Sequence, residues 1–261
     1  SYMELKLTRK VGKFDGMRGS YLGQQFSQQE VEDALTKVGA IFNIYSKSRI
    51  SSKVAKLVSE GNSIGWFQGR AEFGPRALGN RSIIADPRNC NMQKELNLKI
   101  KFRESFRPFA PSVLEEDAHE WFESGVASPY MLFVSQIRKN KLTSQNDTSK
   151  NFGINLLNEI RSQIPAVTHV DNSARVQTVS KRTNPKFYSL LNEFKKLTGC
   201  GVLINTSFNV RGEPIVNSPI DAFNCFMGTN LDILVIENCI LFKEDQNPNL
   251  AVNYSDLFEA D

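Results

Sequence analysis

The chain has 261 residues and a formal net charge of +4, with 40% hydrophobic and 23% charged residues. This composition is typical of a globular protein with one large domain or two small ones, and no apolar run reaches the roughly 18 residues that a membrane helix needs. Four cysteines without a C-x-x-C pair argue against a disulfide framework or a zinc site, and two histidines exclude a histidine-rich metal centre. We therefore expect reduced thiols and a cytoplasmic protein.

The domain boundaries follow from composition. Residues 1–25 are basic and lack clear periodicity, so we interpret them as a linker or the remnant of a preceding N-terminal domain. The folded domain is expected over residues 26–245, and a C-terminal tail over residues 246–261.

Helix and strand patterns alternate along this domain. A capping box, Ser27-Gln-Gln-Glu30, predicts a helix through about Lys37, and Asn184-Pro185 predicts another that runs to about Leu197. Further helices are expected at about 52–60, capped by Ser51 or Ser52, and at 89–101, 115–122, around Leu156, Leu157 and Ile160, and at 218–228. Predicted strands lie at 64–67, 109–113, 130–137, 166–170, 175–179, 202–206 and 231–237, with a polar loop at 138–151. The alternation predicts an α/β (mixed α+β) fold with a largely central sheet.

Closely spaced cations follow the first predicted strand. They are Arg70, Arg76, Arg81, Arg88, Lys99, Lys101, Arg103 and Arg107, interleaved with Phe67, Phe73, Phe102, Phe106 and Phe109. Arginine on a loop braced by glycine and proline suits the bidentate binding of phosphate or carboxylate. A solvated basic surface is the alternative, but it has little use for so many aromatics. We therefore predict a semi-buried anion site.

Three short segments carry candidate ligand-binding groups. In Lys101-x-Arg103-x-x-x-Arg107, the even spacing lets the cations share one face of an extended stretch and bind a polyphosphate. Ser173, Arg175 and Gln177 are expected on the polar face of one strand. Asn205, Ser207 and Asn209 follow another strand at its carboxyl end, where ligands gather in open sheets. Taken singly, these segments also fit a surface cluster, a half-exposed strand and a capped turn.

Four longer segments together resemble the C-terminal domain of the NodU/CmcH family of O-carbamoyltransferases. They are GWFQGRAEFGPRALGNRSI, KFRESFRPFAPSV, SARVQTV and NTSFNVRGEPIV, within a resemblance from about Tyr21 to about Glu244. It implies a YrdC-like twisted open sheet with flanking helices, which binds ATP with Mg²⁺ and carbamoyl phosphate as co-substrate. The product would be carbamoyl adenylate, with release of pyrophosphate. An N-terminal domain, absent from these residues and expected to hold iron, would pass the carbamoyl group to a small hydroxylated acceptor.

The resemblance also implies site residues. A K-x-R element matches Lys101 and Arg103, and an S-x-N element matches Ser207 and Asn209. The remaining residues implied to line the ATP and carbamoyl phosphate pocket are Arg76, Arg107, Arg175 and Asn205. Of the whole set, Lys101, Arg107 and Arg175 are the expected catalytic residues. In this hypothesis Lys101, Arg103 and Arg107 hold phosphates, Arg76 and Arg175 orient carbamoyl phosphate or carbamate, and Asn205, Ser207 and Asn209 bind ribose or phosphate oxygens.

Two alternatives stay open on the sequence. One is a non-catalytic nucleotide- or RNA-binding module of YrdC-like fold, and the other is a regulatory domain that only binds nucleotide. The modest positive charge does not by itself indicate nucleic acid. Our expected partners are therefore small molecules, without nucleic acid or membrane.

Overall fold

A mixed eight-stranded sheet forms the centre of the molecule. The computed structural model describes residues 16–105, 107–143 and 159–251. Its strands in those ranges are β1 (Asn43–Ile44), β2 (Ile64–Phe67), β3 (Arg81–Ala85), β4 (Ala110–Leu114), β5 (Val134–Gln136), β6 (Ser173–Arg175), β7 (Gln177–Val179), β8 (Val202–Ser207), β9 (Ile233–Ile236) and β10 (Cys239–Phe242). The large sheet has the order β1-β10-β9-β2-β3-β8-β4-β7, and β5 pairs with β6 in a separate two-stranded sheet. The expected α/β (mixed α+β) fold is thus confirmed.

Two parallel pairs are embedded in this otherwise antiparallel sheet. β2 runs parallel to β9, and β4 runs parallel to β7. β8 lies between β3 and β4 and is antiparallel to both, so its carboxyl end meets the amino ends of its two neighbours. β2, β3, β4 and β9 are buried along their whole length, and the polar Arg81, Ser82 and Ser112 are buried with their apolar neighbours.

Helices flank the sheet. In the described residues they are α1 (Gln28–Lys37), α2 (Ile50–Ser59), α3 (Met92–Lys99), α4 (Ala118–Trp121), α5 (Pro185–Thr198) and α6 (Pro219–Met227). α2 packs against α5, and α1 packs against α6. Capping boxes begin α1 at Ser27 and α6 at Ser218, and the Asn184 side chain caps α5 as predicted. No helix of the described ranges combines the length and apolar character needed to cross a membrane.

Several predicted elements were wrong. The central strand predicted at 130–137 is limited to β5, and Leu132, Phe133 and Val134 are all more than half exposed. The strand predicted at 166–170 is replaced by a 3-10 turn at Pro165–Val167. The strand at 175–179 breaks at Val176, since β6 pairs with β5 whereas β7 pairs with β4. α2 has no side-chain cap, so the predicted serine cap was also wrong.

The sequence patterns also missed strands. They did not indicate β1, β3 or β10. β1 is a two-residue edge strand, β3 begins with the polar Arg81 and Ser82, and β10 follows β9 directly in a tight hairpin. The helix predicted around Leu156 and Leu157, and most of the polar loop at 138–151, lie outside the described residues.

Residues 20–24 belong to the folded unit, although composition placed them in the linker. The Tyr21 hydroxyl donates to the Leu78 carbonyl at 2.8 Å, and the Gly23 N–H donates to the Ala71 carbonyl at 2.9 Å. The Phe73 N–H donates to the Ser20 carbonyl at 2.7 Å. These bonds attach the segment to the loop between β2 and β3.

The same loop depends on a glycine that touches α5. Gly79 has φ +102°, and a Cβ added there would lie 2.2 Å from the Phe187 ring. We expect Gly79→Ala to lower the free energy of unfolding by about 3 kcal/mol, because it combines backbone strain with overpacking against a buried ring. The measurement is urea unfolding.

Gly199→Ala is the matched control. Gly199 has φ +74° but nothing within 4 Å of the added Cβ, so strain alone should cost about 1 kcal/mol. Equal losses in the two variants would contradict the packing argument.

Candidate functional site

The candidate site forms where the carboxyl end of β8 meets the amino end of β4. Asn205 lies opposite Ala110 of β4, and Ser207 lies opposite Ser82 of β3. The loop between β2 and β3 covers this point, and β6 brings Arg175 to it. The sheet order thus gathers four segments that are far apart in the sequence.

A cavity of about 150 Å³ lies at this junction. Its wall consists of Pro75, Arg76, Ala77, Arg103, Pro108, Phe109, Ala110, Met131, Arg175, Asn205, Thr206 and Ser207. Five predicted site residues therefore line one cavity: Arg76, Arg103, Arg175, Asn205 and Ser207. The remaining three are Lys101, Arg107 and Asn209, which are outside this lining.

Three arginines give the cavity its electrostatic character. The Arg103 guanidinium lies 5.0 Å from the Phe109 ring centroid, and its Nε donates to Asn97 Oδ1 at 2.6 Å. Burial lowers the pKa of Arg103 to about 10, with the Arg107 charge adding to the shift. Burial also lowers the pKa of Arg175, with a smaller contribution from the Arg76 charge. Three guanidinium groups in one wall favour an anion.

Two polar atoms at this cavity lack hydrogen-bond partners among the described residues. They are Nε of Arg175, a donor, and Oδ1 of Asn205, an acceptor. Buried polar groups are paired in the great majority of cases, and each exception calls for an explanation. Within the described ranges, the residues of this wall therefore carry one unpaired donor and one unpaired acceptor.

Lys101 is buried behind Ser207 and does not line the cavity. Its Nζ donates to the carbonyl oxygens of Ser207 and Asn209, the latter at 2.7 Å, and to Asn209 Oδ1 at 2.8 Å. The Ser207 hydroxyl lies 3.3 Å from Nζ and donates to Asn209 Oδ1 at 2.6 Å. Lys101 of the predicted K-x-R element therefore contacts both residues of the S-x-N element, and its hydrogen bonds hold the carboxyl end of β8.

Arg107 lies on the surface. Its Nε is 3.2 Å from a carboxylate oxygen of Glu104, and both side chains are nearly half exposed. Its carbonyl accepts a hydrogen bond from Asn97 Nδ2 at 2.9 Å, which ties the segment to α3. The phosphate-binding role of the Arg107 side chain stays a prediction.

A buried amide network supports Asn205, and the sequence did not reveal it. Gln177 Oε1 accepts hydrogen bonds from the Ser112 hydroxyl and from Asn205 Nδ2. We predicted that Gln177 would share a ligand-facing side with Ser173 and Arg175, but it is 1% exposed and faces this network. The one available signal was a glutamine and a serine within otherwise apolar strands.

The loop between β2 and β3 is held rigidly over the site. Arg81 is fully buried, with its guanidinium 3.4 Å from the Phe67 ring centroid, and it donates to the carbonyls of Gln68, Gly69, Asn80 and Gln24. The Glu72 carboxylate accepts from the backbone N–H groups of Leu78, Asn80 and Arg81. The arginines of this loop thus divide into Arg81, which is structural, and Arg76, which lines the cavity.

A second cavity of about 370 Å³ adjoins the first. The two share Pro108, Phe109, Ala110 and Arg175 in their walls. The second is completed by Val134, Val167, His169, Asp171, Ser173 and Ala174. Asp171 accepts from the Ser173 hydroxyl at 2.6 Å, and His169 Nδ1 lies 3.2 Å from the same oxygen. Sequence reasoning missed this compartment, because its walls come from segments that were predicted as strands.

Comparison with known families decides what kind of protein carries this site. The family model described as carbamoyltransferase C-terminus matches residues 55–243. The chain belongs to this family. The match contains every predicted site residue, and it confirms the resemblance drawn from the sequence motifs.

Relatives of the carbamoyltransferase domain include nodulation proteins. Nodulation protein NolNO of Sinorhizobium fredii is 43% identical over 85% of this chain and 30% of its own length. Nodulation protein NolO of Bradyrhizobium diazoefficiens is 44% identical over 80% of this chain and 35% of its own length. Protein sll1178 of Synechocystis is 56% identical over 93% of this chain and 40% of its own length. The chain therefore spans 30% to 40% of the length of these relatives.

A solved structure also matches this carbamoyltransferase domain. Full-length HypF, in its phosphate- and nucleotide-bound form, gives a TM-score of 0.47 with 15% sequence identity. The superposition covers 78% of this chain and 23% of HypF.

Burial of Lys101 predicts a pH-dependent stability. Loss of hydration lowers the pKa of Lys101 to about 7, from an ordinary value of 10.5. Between these values the unfolded chain binds a proton that the folded domain does not, so this lysine destabilises the fold most at low pH. The free energy of unfolding of the wild type, minus that of Lys101→Met, should rise as the pH increases from 7 to 10. Urea unfolding at several pH values measures it.

The exposed Lys94 of α3 provides the control. Lys94→Met makes the same substitution at the surface, and the pH dependence that it shows is subtracted from that of Lys101→Met. A flat remainder would contradict the assignment of the shifted pKa to Lys101.

Proposed function

We propose that this chain forms carbamoyl adenylate from ATP and carbamoyl phosphate, as the C-terminal part of an O-carbamoyltransferase. The observation that carries the proposal is a cavity lined by three arginines, in a member of the carbamoyltransferase C-terminus family. Transfer of the carbamoyl group to a hydroxyl acceptor is assigned to a separate N-terminal domain. The relatives are long enough to contain one, since this chain spans only 30% to 40% of their length.

The proposed chemistry needs no nucleophile from the protein. Water cleaves carbamoyl phosphate to carbamate and inorganic phosphate. A carbamate oxygen then attacks the α-phosphorus of ATP, the bond from that phosphorus to the bridging oxygen breaks, and pyrophosphate leaves. Both steps move negative charge between oxygen atoms, so fixed cations and correct positioning can supply most of the rate.

The cavity residues fit these tasks. Arg76 and Arg175 would orient carbamoyl phosphate or carbamate, with the unpaired Arg175 Nε as one donor to its oxygens. Arg103 would bind nucleotide phosphates. Lys101 would act through Ser207 and Asn209, because its ammonium group already donates to their oxygens.

Magnesium would reach the site with the nucleotide. When bound to the triphosphate, Mg²⁺ would supply positive charge near the leaving pyrophosphate. In the described ranges no three His, Cys, Asp or Glu side chains are grouped to hold a metal ion. Nucleotide phosphates and water would therefore supply most of its ligands, as is usual for Mg²⁺.

The test is pyrophosphate release by the 261-residue chain with ATP and Mg²⁺, measured by a coupled enzyme assay. The rate should depend on added carbamoyl phosphate. Arg175→Met should lower it roughly 100-fold, because the variant removes a half-buried cation from the cavity wall. Arg49→Met removes the same charge from an exposed residue at the start of α2, outside that wall, and should keep the wild-type rate.

Other outcomes favour the alternatives. Equal losses in the two variants would contradict the assignment of Arg175. Saturable ATP binding without pyrophosphate release would favour a nucleotide-binding module. RNA binding that weakens steeply with salt would favour the RNA-binding alternative, because counterion release produces that dependence.

A further inference from the structure

The orientation of the Gln177 side chain is fixed by a backbone carbonyl. Gln177 Nε2 donates to the Leu78 carbonyl oxygen at 2.8 Å. A carbonyl oxygen has no proton to donate, so the amide nitrogen must face it. The Gln177 oxygen, Oε1, consequently faces the opposite way, toward β4 and β8.

This orientation determines that of Asn205 in turn. Gln177 Oε1 accepts from the Ser112 hydroxyl at 2.5 Å and from Asn205 Nδ2 at 2.8 Å. Asn205 Nδ2 also donates to the Ala77 carbonyl oxygen at 3.2 Å. Since both partners of Nδ2 are acceptors, rotation of the amide by 180° would place oxygen against oxygen twice. The amide of Asn205 therefore has one allowed orientation.

That orientation leaves Asn205 Oδ1 as an acceptor without a partner. Asn205 is 1% exposed, lines the smaller cavity, and has no hydrogen bond to Oδ1 among the described residues. The arginines of the same wall can only donate hydrogen bonds. The cavity wall thus combines cationic donors for an anionic group with an acceptor, in Asn205, that is fixed in orientation and has no partner among the described residues.

We propose that Asn205 Oδ1 accepts a hydrogen bond from the NH₂ of the carbamoyl group, and that Gln177 is the positioning residue that fixes this acceptor. The inference rests on the proposed function and names the group that distinguishes carbamoyl from acetyl compounds. An ionised phosphate oxygen has no proton for Oδ1, so this role replaces the phosphate contact expected for Asn205. The oxygens of the carbamoyl compound face the arginines.

The test compares two stable ligands of equal charge and similar size by calorimetry. Phosphonoacetamide carries an NH₂ where acetonylphosphonate carries a CH₃. The wild-type chain should bind the amide roughly 10- to 100-fold more tightly, because the methyl ketone leaves a buried acceptor unpaired. Equal affinities would overturn the proposal, and this result needs no variant.

Variants test the positioning role. Gln177→Met removes the shorter of the two hydrogen bonds that hold Asn205 Nδ2 and leaves only the 3.2 Å bond to the Ala77 carbonyl. The two affinities should come within about threefold, since Oδ1 is then held toward the ligand by one weak contact. Asn205→Leu should do the same by removing the acceptor. Ser112→Ala keeps the bond from Gln177 to Leu78 and should retain most of the preference. A preference that persists in Gln177→Met would overturn the positioning role, and thermal unfolding identifies variants that fail to fold.

Inorganic phosphate separates this inference from the proposed function. Its binding depends on the arginines, so its affinity should be the same in the wild type and in Gln177→Met. Failure of the wild type to bind phosphate or either phosphonate would count against the anion site and hence the proposed function. Loss of ATP binding in Asn205→Leu, with equal affinity of the wild type for the two phosphonates, would assign Oδ1 to a ribose hydroxyl instead.

Discussion

The buried guanidinium of Arg81 fixes the loop on which the site depends. A charge that leaves water is costly unless it is paired or hydrogen-bonded. Here the aromatic face of Phe67 and several backbone carbonyls replace the water. Burial lowers the pKa of Arg81 only to about 10. Those carbonyls belong to three segments of the chain, so the cation joins residue 24, residues 68–69 and residue 80 into one unit. The two ends of the intervening loop are therefore held in place.

This rigidity explains how a loop can form part of a binding wall. The Glu72 carboxylate accepts three backbone N–H groups inside the loop, and the Phe187 ring closes against Gly79 from outside. The carbonyls of Ala77 and Leu78 therefore point at the amide network from a fixed position. A site assembled on such a loop is prepared before its ligand arrives, which lowers the entropy lost on binding.

Local signals made much of the fold predictable. The capping box at Ser27 and the helix starts at Asn184-Pro185 and Ser218-Pro219 depend on neighbours in the sequence, and the helices they predicted are present. The apolar stretch at 130–137 failed because apolarity does not reveal whether a strand finds a partner. Val134–Gln136 pairs with β6 and Ile137 forms a single bridge to Phe122, whereas the side chains of Leu132 and Phe133 stay exposed.

The candidate site was also predictable in part. Clustered arginines and short polar side chains predicted an anion site, and five of the eight residues line one cavity. The pattern could not show which cations pair with groups of the protein itself and are therefore not available to a ligand. Lys101 is held by oxygens more than 100 residues away, whereas Arg107 turns to Glu104 in its own turn. Such choices depend on tertiary contacts, which spacing along the chain does not encode.

Ala77 and Leu78 contribute to the amide network only through carbonyl groups, and every amino acid has one. Exchange of their side chains would leave both acceptors in place, provided that the new residues fit the packing and the loop keeps its path. The proposed preference of the cavity for a carbamoyl group would therefore depend partly on the path of the backbone. Relatives could diverge at these two positions and still select the same ligand, and an alignment alone would give no hint of their part in it.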